Sequence, residues 1–194
     1  MYKIAISGKA GSGKDTLAKL LRDHLDTDNC NTKILALADP VKDIVKIMFP
    51  RTEDYILYGP SKNRALIVPG VFKNDAPLTY RKLLQEIGTE VGRSYNQSIW
   101  LNVLDYKLEM AEKNGNIKLF VVSDVRFKNE FDHLKQCGYT MIRIFRNLDS
   151  DLDHSSETEQ NSINDDLFDY VIDNNNSIEQ LKSVSNDIAN DIAK

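Results

Sequence analysis

The sequence predicts an α/β protein, with a parallel sheet covered by helices on both faces. Three observations lead there. Short β-branched apolar runs alternate along the chain with stretches whose apolar residues recur at helical spacing. The first run passes through a glycine-rich turn directly into a helix. The suspicious polar residues, Gly8–Thr16, Asp39, Asp124, Arg126 and Arg146, all fall just after strand-like runs. Open parallel sheets place ligands at those strand ends.

Tyr2-Lys-Ile-Ala-Ile-Ser7 reads as a buried strand, and Thr16–Leu25 as a helix with Leu17, Leu20, Leu21 and Leu25 on one face. Lys33–Ala38 is a second strand, closed by Asp39-Pro40. Pro40 suits the first turn of a helix reaching about Phe49, with Asp39 as a candidate cap. Residues 50–78 carry Pro50, Pro60, Pro69, Gly70 and Pro77 and show no period, so an irregular, mobile insertion is expected there. Helices follow over Tyr80–Gly92 and Ile99–Lys113. Ile117–Val122 is a strand leading into Ser123-Asp124. Phe127–Cys137 is a helix, Tyr139–Phe145 a strand, and 146–165 polar and irregular. Phe168–Ile172 is the last strand and Ser177–Ala193 the last helix.

With 194 residues the chain is the size of one domain. Hydrophobic residues at 41% and charged residues at 28% match a soluble globular protein, and no apolar run reaches membrane-span length. The N-terminus has no basic-then-apolar leader, which points to the cytoplasm. Cys30 and Cys137 form no metal or redox spacing and are expected to be reduced and packed. A net charge of −4 argues against stable nucleic-acid binding. Residues 149–194 hold 12 acids against Lys182 and Lys194, a net −10, which leaves +6 on residues 1–148. The cationic part is the part that carries the glycine loop.

Gly8-Lys-Ala-Gly-Ser-Gly-Lys14 fits the loop whose backbone N–H groups cradle phosphates, with Lys14 reaching the β- and γ-phosphates. The common form follows the lysine with a hydroxyl residue. Here Asp15 takes that slot and Thr16 comes one place late. Asp124, ending an apolar strand, is placed to hold Mg2+ directly or through water. Arg81, Arg93, Arg126, Arg143 and Arg146 provide the planar forks that transfer between two phosphorylated molecules requires. Arg143 alternates with Ile142 and Ile144 and so leaves the core face, which makes Arg146 the better lid candidate. Trp100 and Tyr95 could stack on a base, with core packing as the alternative. His154 and Glu157 have no partners at zinc spacing, and His24 and His133 lie on helices as structural residues.

Together, Gly8–Thr16, Ala38-Asp-Pro-Val-Lys42, Arg81–Arg93, Asp124-Val-Arg-Phe-Lys-Asn-Glu130 and His154-Ser-Ser-Glu157 resemble the bacteriophage-type deoxynucleoside monophosphate kinases, part of the P-loop nucleoside monophosphate kinase group. Ile172–Leu181 is similar to the loop bordering adenine in related kinases. The resemblance implies a three-layer P-loop kinase fold with a five-stranded parallel sheet in order 2-3-1-4-5. It also implies an acceptor-binding insertion over about 39–100 and a lid over about 146–160. ATP with Mg2+ would sit on Gly8, Ala10, Gly11, Ser12, Gly13, Lys14, Asp15 and Thr16, with Asn174 and Asn175 beside the base. Asp39, Arg81, Arg93, Trp100 and Arg126 would serve a deoxynucleoside monophosphate, and Arg146 would come from the lid. In such kinases a non-hydroxyl residue commonly stands where Asp15 does and is followed by Thr. The Asp15 side chain is then expected to point away from the phosphates. A homodimer in the cytoplasm, the host's if the gene is viral, is compatible with this reading. A kinase of another phosphorylated acceptor, such as dephospho-coenzyme A, and an ATP-binding switch protein are the alternatives.

Overall fold

The computed structural model describes residues 1–26, 31–115, 117–147 and 159–194. In chain order the elements begin with β1 (Tyr2–Ser7), α1 (Lys14–Leu25), β2 (Thr32–Leu35), α2 (Asp39–Met48) and α3 (Asp54–Leu57). A 3-10 turn over Ser61–Ala65 precedes β3 (Ile67–Lys73) and β4 (Ala76–Thr79). Next come α4 (Tyr80–Gln85), a π-helical stretch over Glu86–Gly92, α5 (Arg93–Tyr95) and α6 (Ile99–Asn114). The chain finishes with β5 (Leu119–Val125), α7 (Lys128–Gln136), β6 (Thr140–Phe145), β7 (Tyr170–Asp173) and α8 (Ile178–Ile192). Two compact units result, one from Met1–Leu37 with Leu101–Lys194 and the other from Ala38–Trp100.

The first unit holds a five-stranded sheet in the order β2-β5-β1-β6-β7, with every pairing parallel. Counted among these five strands alone, the order is the expected 2-3-1-4-5. The chain moves to one side of β1 and then to the other, so the exit of β1 is the topological switch point where such sheets bind ligands. Ile4 to Ser7 are all buried, as a central strand covered on both faces requires. Ile4, Ile6, Val121 and Ile144 pack with Leu17 and Leu21 of α1 and with Leu181 and Ile188 of α8. Each such side chain contributes about 1.5–3 kcal/mol through burial. On the opposite face Phe120 meets Tyr139 edge to face at 6.4 Å, and Phe131 of α7 meets Phe168 at 4.8 Å.

Asp26 closes α1 and ties it to β2, because its Oδ2 accepts from Asn31 N (3.0 Å) and Thr32 Oγ1 (2.6 Å). The Thr32 hydroxyl, followed by the Asn31 amide, holds this carboxyl below its ordinary range against the opposing effect of burial. A depressed folded-state pKa stabilises the fold above the unfolded value, and that contribution is lost as pH falls through the folded value. Asp26→Asn is therefore expected to make stability less sensitive to acid below the ordinary aspartate range. Urea unfolding at a series of acidic pH values measures this, and an unchanged acid slope would refute the role.

The second unit has its own core of Val45, Leu57, Val68, Leu78, Tyr80 and Leu83. The irregular insertion expected over 50–78 is corrected here. It contains α3, the 3-10 turn and the antiparallel β3–β4 hairpin. Asn74 and Asp75 make the two-residue turn with φ of 50° and 61°, the left-handed pair that matches strand twist. Pro69-Gly70 hides the strand from a period-two reading, since the register slips between Ile67 and Phe72. The expected Tyr80–Gly92 helix extends through α5 with a π-helical middle. Trp100 Nε1 donates to Gly88 O at 2.7 Å, placing an outside donor on a carbonyl in the middle of this stretch. The Trp100 ring also lies where a Gly92 side chain would stand, 2.4 Å from its ideal Cβ.

Candidate phosphate-binding site

β1 ends at Ser7, and the next six residues turn back into α1. Gly8 is fixed by close approach, because a Cβ there would stand 2.2 Å from Ile144 O on β6. Gly13 is the N-cap of α1 at φ 103°, with no side-chain cap. No side chain caps this helix, and the positive end of its dipole favours an anion there. Lys14 is buried, and its Nζ donates to Gly8 O (2.6 Å) and Lys9 O (2.7 Å). The ammonium is held on its own loop. Ser7 Oγ and Ser12 Oγ are buried with no protein partner among the described residues. Asp15 and Thr16 stand exposed in the first turn of α1, and Ala10 is half-buried in the loop.

Val125 pairs with Ser7, so Asp124 stands on the strand beside the one that feeds the loop. Leu37 N donates to Asp124 Oδ1 at 2.6 Å and fixes that carboxylate from the end of β2. Arg126 follows directly, half-buried. The buried Glu130 carboxylate reaches back and accepts from Arg126 N (2.9 Å) and Phe127 N (3.0 Å). Glu130, part of the Asp124–Glu130 block, thus positions the backbone of Arg126. A glutamate at the third helical position is the signal that could have found it.

Arg146 is exposed immediately after β6. Of the lid expected over about 146–160, residues 148–158, with His154 and Glu157, lie outside the described residues, as does Cys30. Asn174 Nδ2 donates to Ser12 O at 2.8 Å, and Asn175 Oδ1 accepts from Asn147 N at 2.7 Å. Arg143 leaves the core face as expected, and there it is an anchor rather than a free side chain. Its guanidinium donates to Ile163 O (3.0 Å), Gln160 O and Asp165, and stacks 4.5 Å from the centre of the Phe168 ring. Cys137 is exposed, not packed. His24 and His133 meet Asn190 and Asp105, as structural helix residues would.

In the second unit Ala38, not Asp39, is the N-cap of α2. Asp39 is the first helical residue and pairs with Lys42 at 2.7 Å. Arg81 donates to Ser61 O at 2.8 Å, and Arg93 is buried at the end of the π-helical stretch. Trp100 is buried with its N–H committed to Gly88 O, so it shapes the helix that carries both arginines. Tyr95 is exposed.

The glycine cradle, its inward lysine and the strand-end carboxylate on a 2-3-1-4-5 sheet define a P-loop α/β protein of the kinase type. Residues 52–184 match the family model of deoxynucleotide monophosphate kinase. The chain is similar to a protein of Acanthamoeba polyphaga mimivirus named "Putative deoxynucleotide monophosphate kinase", 33% identical over 192 residues, with 94% of this chain and 93% of that one covered. It is also similar to the deoxynucleoside-5′-monophosphate kinase of Escherichia phage T5, 24% identical over 185 residues, with 70% and 72% covered. Among solved structures, dephospho-CoA kinase from Campylobacter jejuni shares the fold at a TM-score of 0.50 and 14% identity, over 97% of this chain and 96% of that one. This chain belongs to the deoxynucleotide monophosphate kinase family. It is a nucleotide kinase.

Proposed function

We propose that this enzyme transfers the γ-phosphoryl group of ATP to the phosphate of a deoxynucleoside 5′-monophosphate with the help of Mg2+. An oxygen of the acceptor phosphate forms the new bond to phosphorus. The bond from that phosphorus to the bridging oxygen breaks, and ADP leaves with the electron pair. The acceptor phosphate is already ionised at neutral pH, so no general base is assigned. Lys14, held against its own loop, is the observation that carries the reading. A buried ammonium beside an uncapped helix N-terminus is complementary to a polyphosphate and to little else.

Gly8, Ala10, Gly11, Ser12, Gly13 and Lys14 are assigned to the donor phosphates, with Thr16 as a first-turn hydroxyl and Asp15 turned to solvent. A single carboxylate beside a phosphate cradle is the donor set that Mg2+ takes, since this ion keeps several waters and uses one or two carboxylates plus substrate phosphates. Asp124 fits that role, with one oxygen fixed by Leu37 N. Bound there, the ion would neutralise charge on the donor phosphates. Arg81, Arg93, Arg126 and Asp39 are assigned to the acceptor nucleotide, with Trp100 as a positioning residue and Arg146 at the entry to a closing segment. Closure would exclude water and suppress hydrolysis.

No helix among the described residues is long and apolar enough to cross a membrane. The enzyme is proposed to act on free nucleotides in the cytoplasm, with no nucleic-acid partner. The test is ADP release from ATP·Mg2+ across a panel of deoxynucleoside and ribonucleoside monophosphates and dephospho-coenzyme A. A deoxynucleoside monophosphate is expected to stimulate release severalfold or more, dependent on Mg2+. Stimulation by dephospho-coenzyme A alone, or by no acceptor, would overturn the reading.

A further inference from the structure

The turn between β7 and α8 makes three hydrogen bonds that matter to the phosphate loop. Asn174 N donates to Phe145 O at 2.9 Å, which fixes the turn to the end of β6. Asn174 Nδ2 then donates to Ser12 O at 2.8 Å, within the loop itself. Asn175 Oδ1 accepts from Asn147 N at 2.7 Å, one residue beyond Arg146. Gly13 completes the fit. A Cβ at that position would lie 2.5 Å from Asn174 Nδ2, so the amide occupies space the glycine leaves open. With φ of 103° at Gly13, the peptide between Ser12 and Gly13 has its carbonyl turned toward the amide of Asn174.

We propose that Asn174 is a positioning residue of the phosphate loop, acting through the Ser12 carbonyl rather than on the adenine base. A peptide unit is rigid, so holding its carbonyl orients its N–H as well. The amide of Asn174 thereby sets the Gly13 N–H and the entry to α1, the donors on which anion binding at a helix N-terminus depends. Asn175 braces the segment just past Arg146 from the same turn. Within this turn it is an amide, not a carboxylate, that meets the phosphate loop. The inference rests on the assignment of Gly8–Thr16 as the donor-phosphate site and deepens it.

Two ligands separate loop positioning from base recognition. ATP carries a base, and inorganic tripolyphosphate carries only the phosphates. Their affinities are measured by calorimetry on the wild type, on Asn174→Ala, and on Asn174→Asp, which keeps the shape but removes the donor. If Asn174 acts through the loop, both ligands weaken by about the same factor, roughly fivefold for the loss of one such hydrogen bond. Deoxynucleoside monophosphate affinity stays unchanged in the same samples, which a general loss of structure would not allow. Weakening of ATP with tripolyphosphate unaffected would overturn the inference and assign Asn174 to the base. Unchanged affinity for both in either folded variant would overturn it as well. A wild type that binds neither ligand would instead remove the donor-site reading beneath it, so the two failures are distinguishable.

Discussion

Lys14→Ala is expected to lower kcat by about 10²–10³-fold, the cost of deleting one preorganised charge from a phosphoryl-transfer site, while the protein stays folded. In the free enzyme Nζ is satisfied by Gly8 O and Lys9 O at 2.6 and 2.7 Å, and the side chain is buried. Removing it deletes two hydrogen bonds, but it also removes the cost of keeping an ammonium out of water. The net change in stability is expected within about 1 kcal/mol. On the donor-site reading, the loop carbonyls keep the charge beside the cradle before any phosphate binds. Lys14→Arg is not expected to restore activity. A planar guanidinium is larger than the ammonium, and the site is built for a compact point charge. Steady-state kinetics with circular dichroism decide the matter. A folded Lys14→Ala enzyme with near-normal turnover would remove the donor-site assignment.

The site is divided unevenly between what local sequence encodes and what only tertiary structure creates. Strand, glycine loop and helix are contiguous, so residues 2–25 carry their own signals: a β-branched run, glycines at fixed spacing, and Leu17 and Leu21 on one face. Asp124 and Arg126 are legible for a similar reason, since they end a run of buried apolar residues. The hairpin at 67–79 is different. Its Asn74-Asp75 turn is a usable signal, but Pro69 and Gly70 break the alternation that would have framed it. The π-helical stretch is accompanied by a bond from Trp100, twelve residues beyond Gly88 and outside the helix, to the Gly88 carbonyl. No periodicity within 80–92 encodes that. The anchoring role of Arg143 is hidden for the same reason. Alternation correctly sends it away from the apolar face, but cannot reveal that Ile163 O, Gln160 O and the Phe168 ring wait there.

Asp15 shows how an irregular residue can sharpen a site. It stands exposed in the first turn of α1, where a carboxylate is favourable to the helix dipole but unwelcome beside phosphates. Its position costs the loop nothing, because the N–H groups that meet an anion belong to the backbone. The hydroxyl that commonly follows the lysine is absent. On the proposed reading the metal would fall to Asp124, whose carboxylate is oriented by Leu37 N. One strand end supplies the cradle and the neighbouring strand end the charge.

Arg126→Ala is expected to lower kcat/KM for the deoxynucleoside monophosphate by about 10²-fold, with ATP affinity changed by less than about twofold. The guanidinium belongs to a residue whose backbone is pinned. Glu130, buried at 3% exposure, accepts from Arg126 N and Phe127 N, and the strand ends one residue earlier at Val125. A backbone held in this way fixes where the side chain starts, which makes an arginine an effective clamp on a second phosphate. Arg126→Lys should recover only a small part of the loss, because one point charge cannot reproduce two parallel N–H donors. Glu130→Ala tests the tether separately. It removes the carboxylate that accepts from one buried and one half-buried N–H, costing about 1–3 kcal/mol of stability, and acceptor use should fall in the folded fraction while the guanidinium itself is still present. The comparison turns on which substrate suffers. If Arg126→Ala weakens ATP as much as it weakens the acceptor, Arg126 serves the donor phosphates, and the acceptor would then rest on the Arg81 and Arg93 pair.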